Sequence, residues 1–142
     1  MAETLSDLPD LMNTPLLYSD DTNFLNPACD WPAWFRAAGL DQPPPTGTHF
    51  NQADHAIDAA LGNAGVVLGR VALAQKALSE GRLVAPFETA LSTEAHFRVL
   101  CPSGAETRPH IATFLAWIRA EVQKTHVLAD TFKIVPAQDV LV

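Results

Sequence analysis

The chain has 142 residues, 48% of them hydrophobic and 18% charged, a balance that suits one domain with a real core and excludes a disordered or fibrous chain. Nine Lys and Arg against sixteen Asp and Glu give a net charge of −7 and a pI near 5.0, so no general cationic field exists to attract a phosphate backbone or an anionic membrane. The start, Met1-Ala2-Glu3-Thr4-Leu5-Ser6-Asp7, is acidic where a secretory signal needs a basic and then an apolar run, and no later stretch reaches the ~18 apolar residues of a membrane span. The expected location is cytoplasmic. Cys29 and Cys101 lie far apart, without Cys-x-x-Cys or Cys/His ligand spacing, which predicts two buried thiols rather than a disulfide or a zinc site.

The first segment, Leu5 to Met12, has spacing for one or two helical turns, and Pro15-Leu16-Leu17-Tyr18 reads as a short buried strand. Asp30 is a good N-cap for a helix in which Trp31, Trp34, Phe35 and Ala38 share one face before Gly39 stops it. Those aromatics are expected to make core. Pro43-Pro44-Pro45 is a stiff connector, and Thr46 to Phe50 supplies a brief strand. From Asp54 the spacing of Ile57, Ala60 and Leu61 predicts a helix ended by Gly62-Asn63, with Asn63 in the left-handed conformation.

Gly65-Val66-Val67-Leu68-Gly69 is a continuous apolar run between glycines, which suits a strand covered on both faces in a parallel sheet. Strand, helix and strand with short links make a βαβ unit. The pattern then repeats: Val71, Ala74, Ala77 and Leu78 form a helical face, Gly81 ends it, and Leu83 to Phe87 is the next expected strand, with Pro86 near an edge. Phe97, Val99 and Cys101 alternate with His96, Arg98 and Leu100, predicting a longer strand over Ala95 to Cys101. Pro109 opens the longest helix, in which Ile111, Phe114, Leu115, Ile118 and Val122 keep helical spacing as far as Lys124. A tail from Asp130 to Val142 holds one apolar run, Phe132 to Val135, either an edge strand or disordered.

Three motifs in this order, Trp31-x-x-Trp34-Phe35-x-x-Ala38-Gly39, Ala59-Ala60-Leu61-Gly62-Asn63-Ala64-Gly65-Val66-Val67-Leu68-Gly69 and Gly81-Arg82-Leu83-Val84-x-Pro86-Phe87, resemble the effector-binding domain of LysR-type transcriptional regulators. More narrowly the chain is similar to the branch holding the glycine-cleavage activator and the β-lactamase-gene regulator. Phe114-Leu115-x-Trp117-Ile118-x-x-Glu121 fits that family's final helix. The resemblance implies an α/β fold: a periplasmic-binding-protein-like (type 2) lobe with a mostly parallel sheet flanked by helices, a single lobe plus a C-terminal helix. Residues 1–125 are then expected to be the effector-binding fragment and residues 126–142 a C-terminal tail. It also implies that the helix-turn-helix and most of the first lobe are absent from these residues, so that DNA would be reached only through a domain outside them. The apolar face of the final helix would pack on the missing lobe; without it, a dimer is the expected way to cover that face.

In open α/β sheets, ligands meet the loops at the carboxyl ends of strands, where helix N-termini attract anions. Here those loops are Ser19-Asp20, Asn51-Gln52-Ala53 and Gly69-Arg70. By resemblance the second-lobe wall of the effector cleft comprises Asn51, Gln52, Ala53, Asp54, Gly69, Arg70, Val71 and His96, the last standing where relatives often have tyrosine. Polar Asn51 and Gln52 are also an ordinary way to start a helix, and Arg70 an ordinary solvated charge. The five histidines, His49, His55, His96, His110 and His126, fall in no metal-binding spacing, and no Gly-x-Ser-x-Gly or P-loop is present. Asp54, His55 and Asp58 share a helix without forming an oriented acid/base pair. The expectation is a non-enzyme without metal or cofactor: a regulatory fragment that senses a small, anionic effector and associates with a partner subunit. The alternative is a short interaction protein that pairs with full-length regulators and poisons their assembly on DNA.

Overall fold

The computed structural model describes residues 5–140. Its central strand, β1 (Leu16–Ser19), is flanked by β2 (Thr48–Phe50) and β3 (Val66–Val67), and both pairings are parallel. Leu16 and Leu17 of β1 are 0% and 2% exposed, as a middle strand covered on both faces requires. The connection from β2 to β3 is helix α2 (Ala53–Leu61), which carries the chain across β1. Asn63 turns α2 into β3 with a positive φ of 63°, the left-handed conformation that asparagine tolerates. Helix α3 (Val71–Ser79) follows β3, and Gly81 stops it at φ +69°.

Helix α1 (Trp31–Ala37) is the core's centre. Asp30 caps it by accepting the Ala33 N–H at 2.9 Å, and Trp31, Trp34 and Phe35 are buried with Leu11 and Leu16. Leu11 reaches that core from a 3-10 turn over Leu8–Asn13. The Trp31 and Trp34 rings meet edge to face at 5.7 Å, the arrangement that aromatic quadrupoles favour.

A second, two-stranded parallel sheet pairs β4 (Thr89–Ser92) with β5 (Lys133–Pro136), and α4 (Pro109–Ala129) is the crossover between them. The two open readings of the Phe132 to Val135 run thus resolve to a paired strand. It is followed by a 3-10 turn, Ala137–Val140, whose Val140 carbonyl accepts from Arg36 Nε of α1 at 2.7 Å. With parallel sheets flanked by helices, this is the expected mixed α/β, periplasmic-binding-protein-like architecture.

Several expectations are corrected. Leu83 to Phe87 is not a strand: the Arg82 and Leu83 N–H groups both donate to the Ala77 carbonyl in closing α3, Pro86 has no N–H to give, and pairing begins only at Thr89. Ala95 to Cys101 is in no strand, because a strand needs a neighbour and no described residue supplies one; Phe97 is 85% and Leu100 88% exposed. The run around Val67 forms only a two-residue edge strand, half-buried rather than covered on both faces. Cys101 is exposed and Cys29 half-buried, so the two buried thiols are not found. Helix α4 continues past Lys124 to Ala129, and none of its residues is buried.

The close approach of β1 to its neighbours requires glycine at two positions. A Cβ on Gly65 would run into the Pro15 carbonyl oxygen, and one on Gly47 into that of Leu16. Gly65→Ala or Gly47→Ala is expected to lower the unfolding free energy by about 2 kcal/mol or more. Gly62→Ala, whose Cβ would meet nothing nearer than 3.4 Å, should cost less than about 1 kcal/mol. Urea denaturation of the three variants checks this; equal midpoints would refute the close approach.

Candidate functional site

Because β1, β2 and β3 are parallel, their carboxyl ends lie on one side of the sheet, and the segments after them open into a cavity of about 1220 Å³. Its polar rim comes from Tyr18, Ser19 and Asp20 of the β1 end, from His49 of β2, and from Gly69 and Arg70 ahead of α3. Its apolar wall comes from Trp31 and Trp34 of α1, Val66 to Leu68, and Phe87 and Leu91 from the segment leading into β4.

The rim is internally wired. Arg70 Nη2 donates to Asp21 Oδ2 at 2.5 Å, and Ser19 Oγ donates to Asp21 Oδ1 at 2.5 Å, so both carboxylate oxygens of Asp21 are engaged. The Arg70 and Asp21 side chains are 32% and 25% exposed, partly shielded from the screening that makes fully solvated pairs nearly worthless. This pair ties the start of α3 to the end of β1. Beside it, His49 Nδ1 and Asp20 Oδ1 share a hydrogen bond at 2.9 Å, and the His49 ring stacks on Tyr18 with centroids 4.6 Å apart. The Tyr18 hydroxyl donates to the Pro45 carbonyl at 2.7 Å, which anchors the proline-rich connector to β1.

Burial pushes the Tyr18 hydroxyl above its ordinary pKa, and the Asp30 carboxylate adds to the effect. The same two causes push up the Cys29 thiol, against an opposing hydrogen bond with the Thr93 side chain. Asp30 therefore acts twice, as the cap of α1 and as a negative charge felt by two groups that line the cavity.

Of the residues that the sequence nominated, Ala53, Gly69, Arg70 and His96 line this cavity together with Val71. Asn51, Gln52 and Asp54 are exposed at the start of α2 and lie outside the lining. Asp54 Oδ1 accepts the His55 N–H at 3.0 Å, a carboxylate placed favourably at the positive end of the helix. Neither Gln52 nor Arg70 caps its helix through its side chain. Asp21, His49 and Asp30 were missed as site residues. The available signal was the Asp20-Asp21 pair directly after a buried strand, the position where parallel sheets present side chains to ligands. Among the described residues no group of three His, Cys, Asp or Glu side chains is placed to hold a metal ion.

The LysR substrate binding domain family model matches residues 2–123. The chain belongs to that family. Similar proteins include the HTH-type transcriptional regulator DsdC of Escherichia coli (strain K12), 33% identical over 97 residues that cover 68% of this chain and 31% of that protein. The HTH-type transcriptional activator AmpR of Rhodobacter capsulatus is 30% identical over 94 residues, 66% of this chain and 32% of AmpR. The glycine cleavage system transcriptional activator of Escherichia coli (strain K12) is 31% identical over 93 residues, 65% and 30% of the two chains. This LysR-family chain thus spans about a third of the length of the curated relatives it matches. No solved structure matches it. Its relatives are transcriptional regulators, and no helix among the described residues is long and apolar enough to cross a membrane.

The raised thiol of Cys29 gives a chemical readout of the cavity. A higher pKa means less thiolate near pH 8, so iodoacetamide is expected to alkylate exposed Cys101 well before Cys29. Asp30→Asn, which removes one of the raising causes, should narrow the gap. Peptide mass spectrometry over a time course checks both statements, and equal rates for the two cysteines of the folded protein would refute them.

Proposed function

We propose that this LysR-family chain is a regulatory, effector-sensing domain and not an enzyme. One observation carries the reading: three parallel strands end at a single open cavity whose rim holds paired charges and whose wall is apolar. That is the kind of place where open α/β sheets take small molecules. In this reading Ala53, Gly69, Arg70 and His96 face the effector across the cavity mouth, with Asn51, Gln52 and Asp54 at its margin. It works in the cytoplasm without metal or cofactor. It reaches DNA only through a helix-turn-helix that these residues do not include.

The domain also associates with a second subunit. The support is α4, whose Phe114, Trp117 and Val122 are 48%, 54% and 43% exposed, although the helix packs against α3 and holds it through a 2.7 Å hydrogen bond from Thr125 Oγ1 to Gln75 Oε1. A row of large apolar side chains left in water marks an interaction surface. The same face supports the second reading, in which the chain pairs with full-length LysR regulators and spoils their assembly. Co-expression with an intact relative discriminates, since a poisoning partner must co-purify with it.

A cavity open on one side surrounds only part of a ligand, and closure energy in a two-walled site comes from contacts to both walls. Titration calorimetry of this chain against amino acids, small organic acids and amines is therefore expected to give dissociation constants weaker than about 100 µM. Amide shifts that saturate should fall at Ser19 to Thr22, Ala53, Gly69 to Val71 and His96. The reading fails if no compound in the panel gives saturable shifts there. Sedimentation at micromolar concentration should return a dimer mass, with Trp117→Lys returning the monomer; a monomeric wild type would remove the association claim.

A further inference from the structure

We propose that the ligand taken by this cavity is an organic cation, a protonated amine carried on an aromatic or branched aliphatic skeleton. The inference rests on the effector-sensing reading and specifies the effector's chemistry. An anion is what helix N-termini at strand ends lead one to expect, but the guanidinium groups of this cavity are already matched by carboxylates, while among the described residues the two lining carboxylates have no Lys or Arg partner.

Two carboxylates, Asp20 and Asp30, line the cavity beside two guanidinium groups, Arg70 and Arg82. Both guanidinium groups already have a carboxylate partner. Arg82 is turned onto Glu80, with Nε at 2.8 Å and Nη2 at 2.7 Å from its Oε2. Arg70 is held by Asp21 at 2.5 Å, and an anion binding it would have to compete with a carboxylate already in place. The polar start of α2 at Asn51 and Gln52, the other expected anion contact, is not part of the lining.

The two lining carboxylates are less fully used. Asp20 shares one oxygen with His49 Nδ1, and Asp30 gives Oδ1 to the Ala33 N–H. Among the described residues no cationic Lys or Arg side chain is paired with either. A cation is the ligand that such a rim stabilises. Behind it the Trp31 and Trp34 rings are core, 4% and 5% exposed, so the apolar surface for a skeleton comes from half-buried Val67, Leu68 and Phe87, and the Phe87 ring is the one that attracts an ammonium group. At about 1220 Å³ the cavity exceeds the ~300–1,000 Å³ of ordinary small-molecule sites. It has room for a body larger than that of a simple amine salt.

The test uses pairs that share a skeleton and differ in charge: phenethylamine with 3-phenylpropionate, and tryptamine with indole-3-propionate. Each is titrated into the chain near neutral pH by calorimetry and amide shifts. Each amine is expected to bind at least about tenfold more tightly than its carboxylate counterpart, the scale of one close charge pair at a partly solvated site. Asp20→Asn should remove most of that preference, and Asp20→Glu should restore it, with unchanged circular dichroism in both. Carboxylates binding as tightly as the amines, or an amine preference untouched by Asp20→Asn, would overturn the proposal. So would a failure of both amines to saturate. A carboxylate preference at Ser19 to Thr22 would leave the effector-sensing reading intact while removing the cation, so the two claims fail separately.

Discussion

Two indole N–H groups on one short helix hold the molecule together. Trp31 Nε1 donates to the Leu17 carbonyl of β1 at 3.0 Å, and Trp34 Nε1 donates to the Thr89 carbonyl at the start of β4 at 2.9 Å. The helix α1 is therefore bonded to both sheets through side chains that are themselves 4% and 5% exposed. A buried indole without an acceptor costs roughly 1–3 kcal/mol, so each tryptophan fits only where a strand end offers a carbonyl. That requirement fixes the distance between the sheets, and the cavity is what remains between them. Phe87, 5.8 Å from the Trp34 ring, belongs at once to the core and to the cavity wall.

The rim depends on the same placement. Asp30 must sit at the end of α1 for its cap to work, and α1 must sit on β1 for Trp31 to reach Leu17. Asp30 is thereby brought near Tyr18 and Cys29, where it raises both of their pKa values. Asp21 lies in the 3-10 turn after β1 and Arg70 precedes α3, so their ion pair closes only if β1 and β3 keep the register that puts Leu17 opposite Val67. Gly65 enforces that register, since any side chain there would meet the Pro15 backbone.

Most of the architecture was legible because its signals were local. The Asp30 cap, the Trp31, Trp34, Phe35 face, the Gly39 and Gly81 stops and the Asn63 turn each depend on residues within a few positions of one another. The parallel sheet followed from short links between alternating strands and helices. What failed was pairing. Ala95 to Cys101 has strand alternation, yet alternation says only that a segment is suited to a sheet, not that a neighbour exists to bond it. Leu83 to Phe87 has strand composition, yet its first residue is tied to Ala77 and its fourth is Pro86. Lys133 to Pro136 has weaker composition and does pair, because α4 returns the chain beside β4. At the site, strand ends were read correctly as the place for a cavity, and Gly69, Arg70 and His96 line it. The use to which Arg70 is put was not readable, because its partner Asp21 lies 49 residues away.

That partner choice governs what the cavity can do. A ligand that needed Arg70 would gain one charge-assisted hydrogen bond only by giving up another, and Asp21 would be left half-buried with a single remaining partner, Ser19. The exchange is close to neutral at best, and removing a partner from a partly buried charge is usually a net loss. The Arg70–Asp21 pair therefore serves better as a fixed strut between α3 and β1 than as a ligand contact. Discrimination passes to the groups with spare capacity, the second oxygens of Asp20 and Asp30 and the half-buried apolar surface of Val67, Leu68 and Phe87 behind them. A site built this way selects by the sign of the charge at its mouth and by the fit of an apolar body at its back. Neither contact encloses the ligand, so the work of closing over it falls on whatever covers the open side.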